Sequence, residues 1–182
     1  MHSFSNLQRI WSHANLTIRR KLALFKSLVV SKLQYGLESV WLNQCQRSRL
    51  DAFHCKCIRR ILKIQHSFYS HVSNEQVLSA ANEEPLSMSM IKQQLKTFGR
   101  IAVSKCAPAL RRLVFDSDHG FDKFSFNPRP VGRPKQCWVD EVYKLARTIC
   151  GPNIAHTFHQ CTDSLDLWVR LINQHFSHHN ID

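Results

Sequence analysis

Residues 48–64 read SRLDAFHCKCIRRILKI. Leu50, Phe53, Cys57, Ile61 and Ile64 recur every three or four positions, the spacing that gathers side chains on one face of an α-helix. At about 100° per residue, Arg49, Lys56, Arg59, Arg60 and Lys63 fall on a separate arc. The stretch therefore predicts a helix with an apolar seam and a continuous basic face.

The same period extends outward in both directions. Upstream, Ile18, Leu22, Phe25, Val29 and Leu33 form a stripe that predicts a helix over residues 17–33. Leu24, Leu28 and Val30 lie on its other faces, so this helix is expected to be buried on more than one side. Tyr35-Gly36 ends or bends it, and residues 37–42 are read as a further helical turn. Downstream, Ser73-Asn74-Glu75-Gln76 has the form of a capping box opening a short helix to about residue 82. Residues 87–104 carry Met90, Ile91, Leu95, Phe98 and Ile101/Ala102 at helical spacing, and Pro108 opens a short piece to Phe115. Trp138, Val142, Leu145 and Ile149 predict a helix over 135–149, stopped by Gly151-Pro152. Leu165, Trp168, Leu171 and Ile172 predict a last one over 164–176.

Composition agrees with a helical reading. The chain has 182 residues, 43% of them hydrophobic, with only 5 Gly and 6 Pro. That is enough apolar material for a real core and few positions that demand turn geometry. The expected fold class is all-α. Residues 116–133, polar and holding Gly120, Gly132, Pro128 and Pro130, read as a linker.

The net charge is +12, and it is unevenly placed. Residues 1–72 hold 12 Lys and Arg against two acids, Glu38 and Asp51, a local +10. The remainder holds 13 against 11, or +2. A one-sided basic excess is the electrostatic footprint of a polyanion partner, most often nucleic acid. The seven cysteines are odd in number and irregularly spaced, and residues 1–16 contain no apolar h-region. The longest apolar run, residues 22–30, is broken by Lys26 and is too short to span a bilayer. The expectation is an intracellular protein, nuclear or cytoplasmic, with free thiols and no membrane partner.

Catalytic patterns are missing. The adjacent acids Glu83-Glu84 and Asp140-Glu141 sit at or near helix starts, where acids suit the helix dipole, and neither makes the carboxylate cluster that two-metal chemistry requires. Residues 116–122 resemble a calcium loop but place Gly120 and Asn127 where an EF-hand requires other spacing. Cys150, His156, His159 and Cys161 are a zinc candidate by ligand type, weighed against surface histidines and free thiols, with a spacing that matches no common finger. No phosphate loop, nucleophile elbow or dinucleotide fingerprint occurs. The chain is expected to be non-catalytic on its own and to need no cofactor.

Residues 127–139, NPRPVGRPKQCWV, combine Arg129, Arg133 and Lys135 with Gly132 and three prolines. An extended Arg-Gly-Arg-Pro segment can follow the floor of a narrow minor groove. Here Val131 stands where that pattern has its first arginine. The stretch from Arg129 to Lys135 is thus half of a DNA hook, or else a proline-stiffened lead into a helix.

Six segments, taken in order, resemble one family. RRKLALFKSLVVSKLQYGLESVWL contributes Lys21, Leu22, Leu24, Phe25, Leu28, Val30, Ser31, Leu33, Tyr35, Gly36, Glu38 and Trp41. LDAFHCKCIRRILKI contributes Leu50, Phe53, Cys57, Arg59, Arg60, Ile61 and Leu62. VSNEQVL contributes Ser73, Asn74 and Leu78. QLKTFGRIAV carries Gly99, with Arg100 where the family has histidine. RPVGRPKQCWVDEV retains Gly132, Arg133, Pro134 and Trp138, and DLWVRL retains Trp168 and Leu171. Together they resemble the thumb and post-thumb region of the reverse transcriptase (RNA-directed DNA polymerase) of non-LTR, LINE-type retrotransposons. The resemblance implies a thumb-like helical bundle over 1–115, the linker over 116–133, a small helical unit over 134–176 and a tail over 177–182. It implies a truncated protein without the parent's palm and its catalytic aspartates, gripping RNA or DNA of a template–primer by its backbone. Lys56, Arg59, Arg60 and Lys63 would carry that grip, with Arg129, Arg133 and Lys135 second. A host-adopted minor-groove DNA-binding protein, and an interaction fragment without a nucleic-acid role, are the alternatives.

Overall fold

The computed structural model describes residues 5, 7, 10, 11, 15–104, 108–115, 121, 137–151, 153–161 and 164–178. Among them there is no strand, and the fold is all-α. The chain forms two compact units, Met1–Met90 and Ile91–Asp182.

The first unit opens with α1 (Ile18–Phe25), whose N-cap Thr17 accepts a hydrogen bond from Arg20 N. The helical path continues through a π-helical turn, Lys26–Val30, into α2 (Ser31–Tyr35). The wider turn places one extra residue per turn. Val29 and Val30 are consequently both buried below Phe25, where a uniform α-period would have turned Val30 away. Ile18, at the head of the expected stripe, is 51% exposed. Residues 37–42 form turns and irregular chain rather than the expected helical turn.

The next helix, α3 (Gln44–Leu62), begins four residues earlier than residue 48 because Asn43 and Gln46 make a full capping box. It ends in a left-handed Lys63 at φ 60°, with Ile64 N donating back to Arg59 O at 2.9 Å. That is the bond pattern of a Schellman stop, built here without glycine. One turn of helix, α4 (Ser67–Ser70), and then α5 (Asn74–Ala81) follow. The Ser73–Gln76 capping box forms as its spacing implied, with Gln76 Oε1 accepting from Ser73 N at 2.8 Å. Packing of α3 against α1 and α5 closes a core of Leu22, Phe25, Val29, Val30, Cys55, Cys57, Ile58, Ile61, Val77, Leu78 and Ala81.

The division between units falls inside α6 (Leu86–Val103). Leu86 joins the first core. Phe98 instead meets Phe115, Tyr143 and Phe158, with centroids 5.5, 6.3 and 5.9 Å away. Such long-range aromatic contacts leave no mark on local periodicity.

The second unit adds α7 (Pro108–Val114), α8 (Trp138–Cys150), α9 (Ile154–Gln160) and α10 (Asp166–His178). The last three pack on one another around Val142, Ala146, Phe158, Trp168 and Ile172. Helix α9 covers a stretch that the sequence reading leaves as a connection. Phe121, from the expected linker, is buried and stacked on Phe158 at 5.6 Å. Its backbone oxygen accepts from Tyr143 Oη at 3.1 Å. The other linker residues lie outside the described residues.

Candidate nucleic-acid interface

The basic face expected on α3 is there in part. Lys56, Arg60 and Lys63 are exposed, as is Arg49, about two turns before Lys56 and three before Arg60. Arg49, Lys56 and Arg60 lie on an arc of about 40° by helical geometry, and Lys63 is the residue that ends the helix after them. Opposite them His54, Cys55, Cys57, Ile58 and Ile61 are buried.

Arg59 does not belong to that face. It is only 7% exposed. Its guanidinium donates to Gln65 O at 3.3 Å, to Val72 O at 2.6 Å and to Asn74 Oδ1 at 3.2 Å. The reason is the breadth of burial on α3, which spans more than half its circumference. The basic arc and the buried arc therefore share a border, and Arg59 sits on it. A planar fork of five donors satisfies several carbonyls at once. Arg59 is thus a structural clamp on residues 65–72.

Lys21 makes a comparable turn inward. It is buried, and its Nζ donates to Trp11 O at 2.9 Å. Basic residues counted alike in the sequence thus divide between internal carbonyl donors and an outward-facing set.

Asp51 is directed at the start of α6, accepting from Ser87 N at 2.8 Å and Ser87 Oγ at 2.6 Å. Between Asp51 and Glu75 the chain has no carboxylate but carries Lys56, Arg59, Arg60 and Lys63, with histidines at 54, 66 and 71.

Residues 65–72 hold a feature the sequence reading passes over. Phe68 and Tyr69 on α4 are 75% and 72% exposed, and their rings meet edge-to-face at 5.2 Å. Single exposed apolar residues are ordinary. An adjacent aromatic pair in a polar, histidine-flanked segment, with no apolar neighbour at helical spacing on the Gln65–His71 run, was the available signal.

The zinc candidates do not converge. Among the described residues no three His, Cys, Asp or Glu side chains are placed to hold a metal ion. Cys150 and Cys161 point into the packing of α8, α9 and α10, where burial pushes both thiols up. His156 is exposed and faces Gln160 at 3.4 Å, while His159 meets the edge of Phe121 at 5.2 Å. The helical course of α9 spreads ligands that a loop could have gathered. Elsewhere, burial on α3 raises the thiol of Cys55 and pushes that of Cys57 up to about 12.

Arg129, Arg133 and Lys135 lie outside the described residues. No described helix is long and apolar enough to cross a membrane. Comparison of the chain with protein-family models, with curated proteins and with solved structures finds no match.

Proposed function

We propose that this chain binds nucleic acid through the phosphate backbone, without reading sequence and without chemistry of its own, as the thumb-like region of a retrotransposon reverse transcriptase. The observation that carries the reading is the outer arc of α3. Lys56 and Arg60 on α3, and Lys63 at its end, face solvent, while the opposite side of the helix anchors it in the core. Closely spaced cations on one rigid element suit successive phosphates and displace their counterions. The retrotransposon origin rests on the ordered resemblance of six segments.

The test is fluorescence anisotropy with a labelled RNA–DNA duplex of about 20 base pairs, a length that covers one protein footprint. Affinity falls steeply with salt, and Lys56→Ala/Arg60→Ala/Lys63→Ala flattens the logarithmic slope by about 3, one per lost phosphate contact. An unchanged affinity and slope in the triple variant would remove the basis of the proposal.

A further inference from the structure

We infer that residues 65–72 form a stacking platform for the unpaired bases of single-stranded nucleic acid, with Phe68 and Tyr69 as its two faces. This rests on the nucleic-acid reading of α3 and adds to it a preference that backbone contacts alone do not give.

Three observations carry it. The first is the aromatic pair itself, exposed on a helix of one turn. The second is how firmly that turn is held. Phe68 N donates to His66 Nδ1, and Tyr69 N and Ser70 N both donate to His66 O at 2.9 and 3.0 Å. His71 N closes the turn on Ser67 O at 2.9 Å, and His71 adopts the left-handed conformation that stops it. Ser70 Oγ reaches back to Gln65 O at 3.2 Å. The Arg59 guanidinium then ties Gln65 O and Val72 O, the two ends of the excursion, to one point on α3. Rings on a chain fastened at both ends lose little freedom when a base stacks on them, which favours binding.

The third observation is charge. The platform leaves α3 directly after Arg60 and Lys63, so phosphates between stacked bases meet cations. The nearest acid downstream is Glu75, in the first turn of α5. An aromatic face beside a basic track is the arrangement that holds single strands without regard to sequence, because every base has a π-face. A protein partner for the same pair would bring apolar surface and no phosphate, and would leave the adjoining cations without a role.

Three probes separate the outcomes: an oligothymidylate single strand, a strand of equal length in which the bases are replaced by abasic sites, and a duplex. The wild-type chain prefers the oligothymidylate to the abasic strand by about 10-fold, the scale of one or two stacked bases. Phe68→Ala/Tyr69→Ala abolishes that preference, leaves duplex affinity within about twofold and leaves the salt slope unchanged. Circular dichroism confirms that the double variant is folded, as expected for side chains already in solvent; Phe68→Leu/Tyr69→Leu, which keeps apolar bulk without a π-face, gives the same loss. The inference is overturned if the double alanine variant keeps the full base-dependent preference, or if the leucine variant does. It is also overturned if the wild type binds abasic and base-bearing strands equally, a result that leaves backbone binding by α3 intact. Loss of all nucleic-acid binding in the wild type overturns both.

Discussion

The indole of Trp168 on α10 lies directly over Gly99 on α6, and its Nε1 donates to Leu95 O, one helical turn earlier, at 2.8 Å. The two residues are far apart in the chain. Trp168 is fully buried, with Phe158 at 5.2 Å. A Cβ built on Gly99 would overlap the indole ring. The tryptophan is therefore seated on bare backbone, and the absence of a side chain at Gly99 is what admits it.

Gly99→Ala reverses the usual sign of such a change. In an ordinary helix interior alanine gains about 1 kcal/mol over glycine. Here overpacking against Trp168 outweighs that gain, and the variant loses about 1–3 kcal/mol. Gly36→Ala is the control, since nothing lies within 4 Å of a Cβ there and its φ is −83°. Its stability stays level or rises by about 0.5 kcal/mol. Urea unfolding of both variants checks the pair.

Arg59 and Lys56 separate a clamp from a surface cation. Arg59→Ala leaves the Gln65 and Val72 carbonyls without their charged donor and costs about 2–3 kcal/mol. Arg59→Lys recovers only part of this, because a single ammonium on a shorter stem does not reproduce the fork. Lys56→Ala stays within about 0.5 kcal/mol. Equal losses for Arg59→Ala and Lys56→Ala in thermal melts would contradict the assignment.

His54 makes the first unit sensitive to mild acid. It is buried and stacked on Phe25 at 5.7 Å, and among the described residues its Nδ1 has no hydrogen-bond partner. Burial holds its pKa below the usual 6.5, with Lys26 adding to the effect and Glu83 and Asp51 opposing it. Above 6.5 both folded and unfolded histidine are neutral and the group has no linked effect. Below 6.5 the unfolded chain takes up the proton and the folded chain resists it, so stability falls with pH until the lowered folded pKa is passed. His54→Phe, which keeps a ring against Phe25, removes this part of the slope. Urea midpoints from about pH 8 down to about pH 5 read the difference between variant and wild type.

Ser73 carries both halves of its capping box, accepting from Gln76 N at 3.2 Å and donating its own N–H to Gln76 Oε1. Ser73→Ala costs about 1 kcal/mol in chemical denaturation. Ser73→Asp, which preserves the acceptor and places negative charge at the head of α5, holds stability near the wild type.

What was legible in the sequence depended on how local its physics is. The core stripe of α6 and the Ser73 cap follow from spacing within a few residues, and the structure has both. The π-turn at Lys26–Val30 was hidden, because inserting one residue into a turn buries Val30 beside Val29 without changing composition. Arg59 was misplaced because a helical wheel gives an angle but not how wide the buried arc is. The scatter of Cys150, His156, His159 and Cys161 was likewise invisible until α9 proved helical. Phe68 and Tyr69 went unremarked because their meaning lies in being exposed, and exposure is a tertiary property.

The most direct test of backbone binding by α3 is lysine footprinting of the chain with and without a nucleic-acid duplex. Lys56 and Lys63 are exposed on the α3 arc, and Lys144 on α8 is exposed and paired with Glu141 at 3.0 Å. Acylation of Lys56 and Lys63 slows several-fold when duplex is bound, and their protection disappears at high salt as counterions compete. Lys144 reacts at the same rate throughout. Protection of Lys144 with Lys56 and Lys63 left reactive would contradict the account.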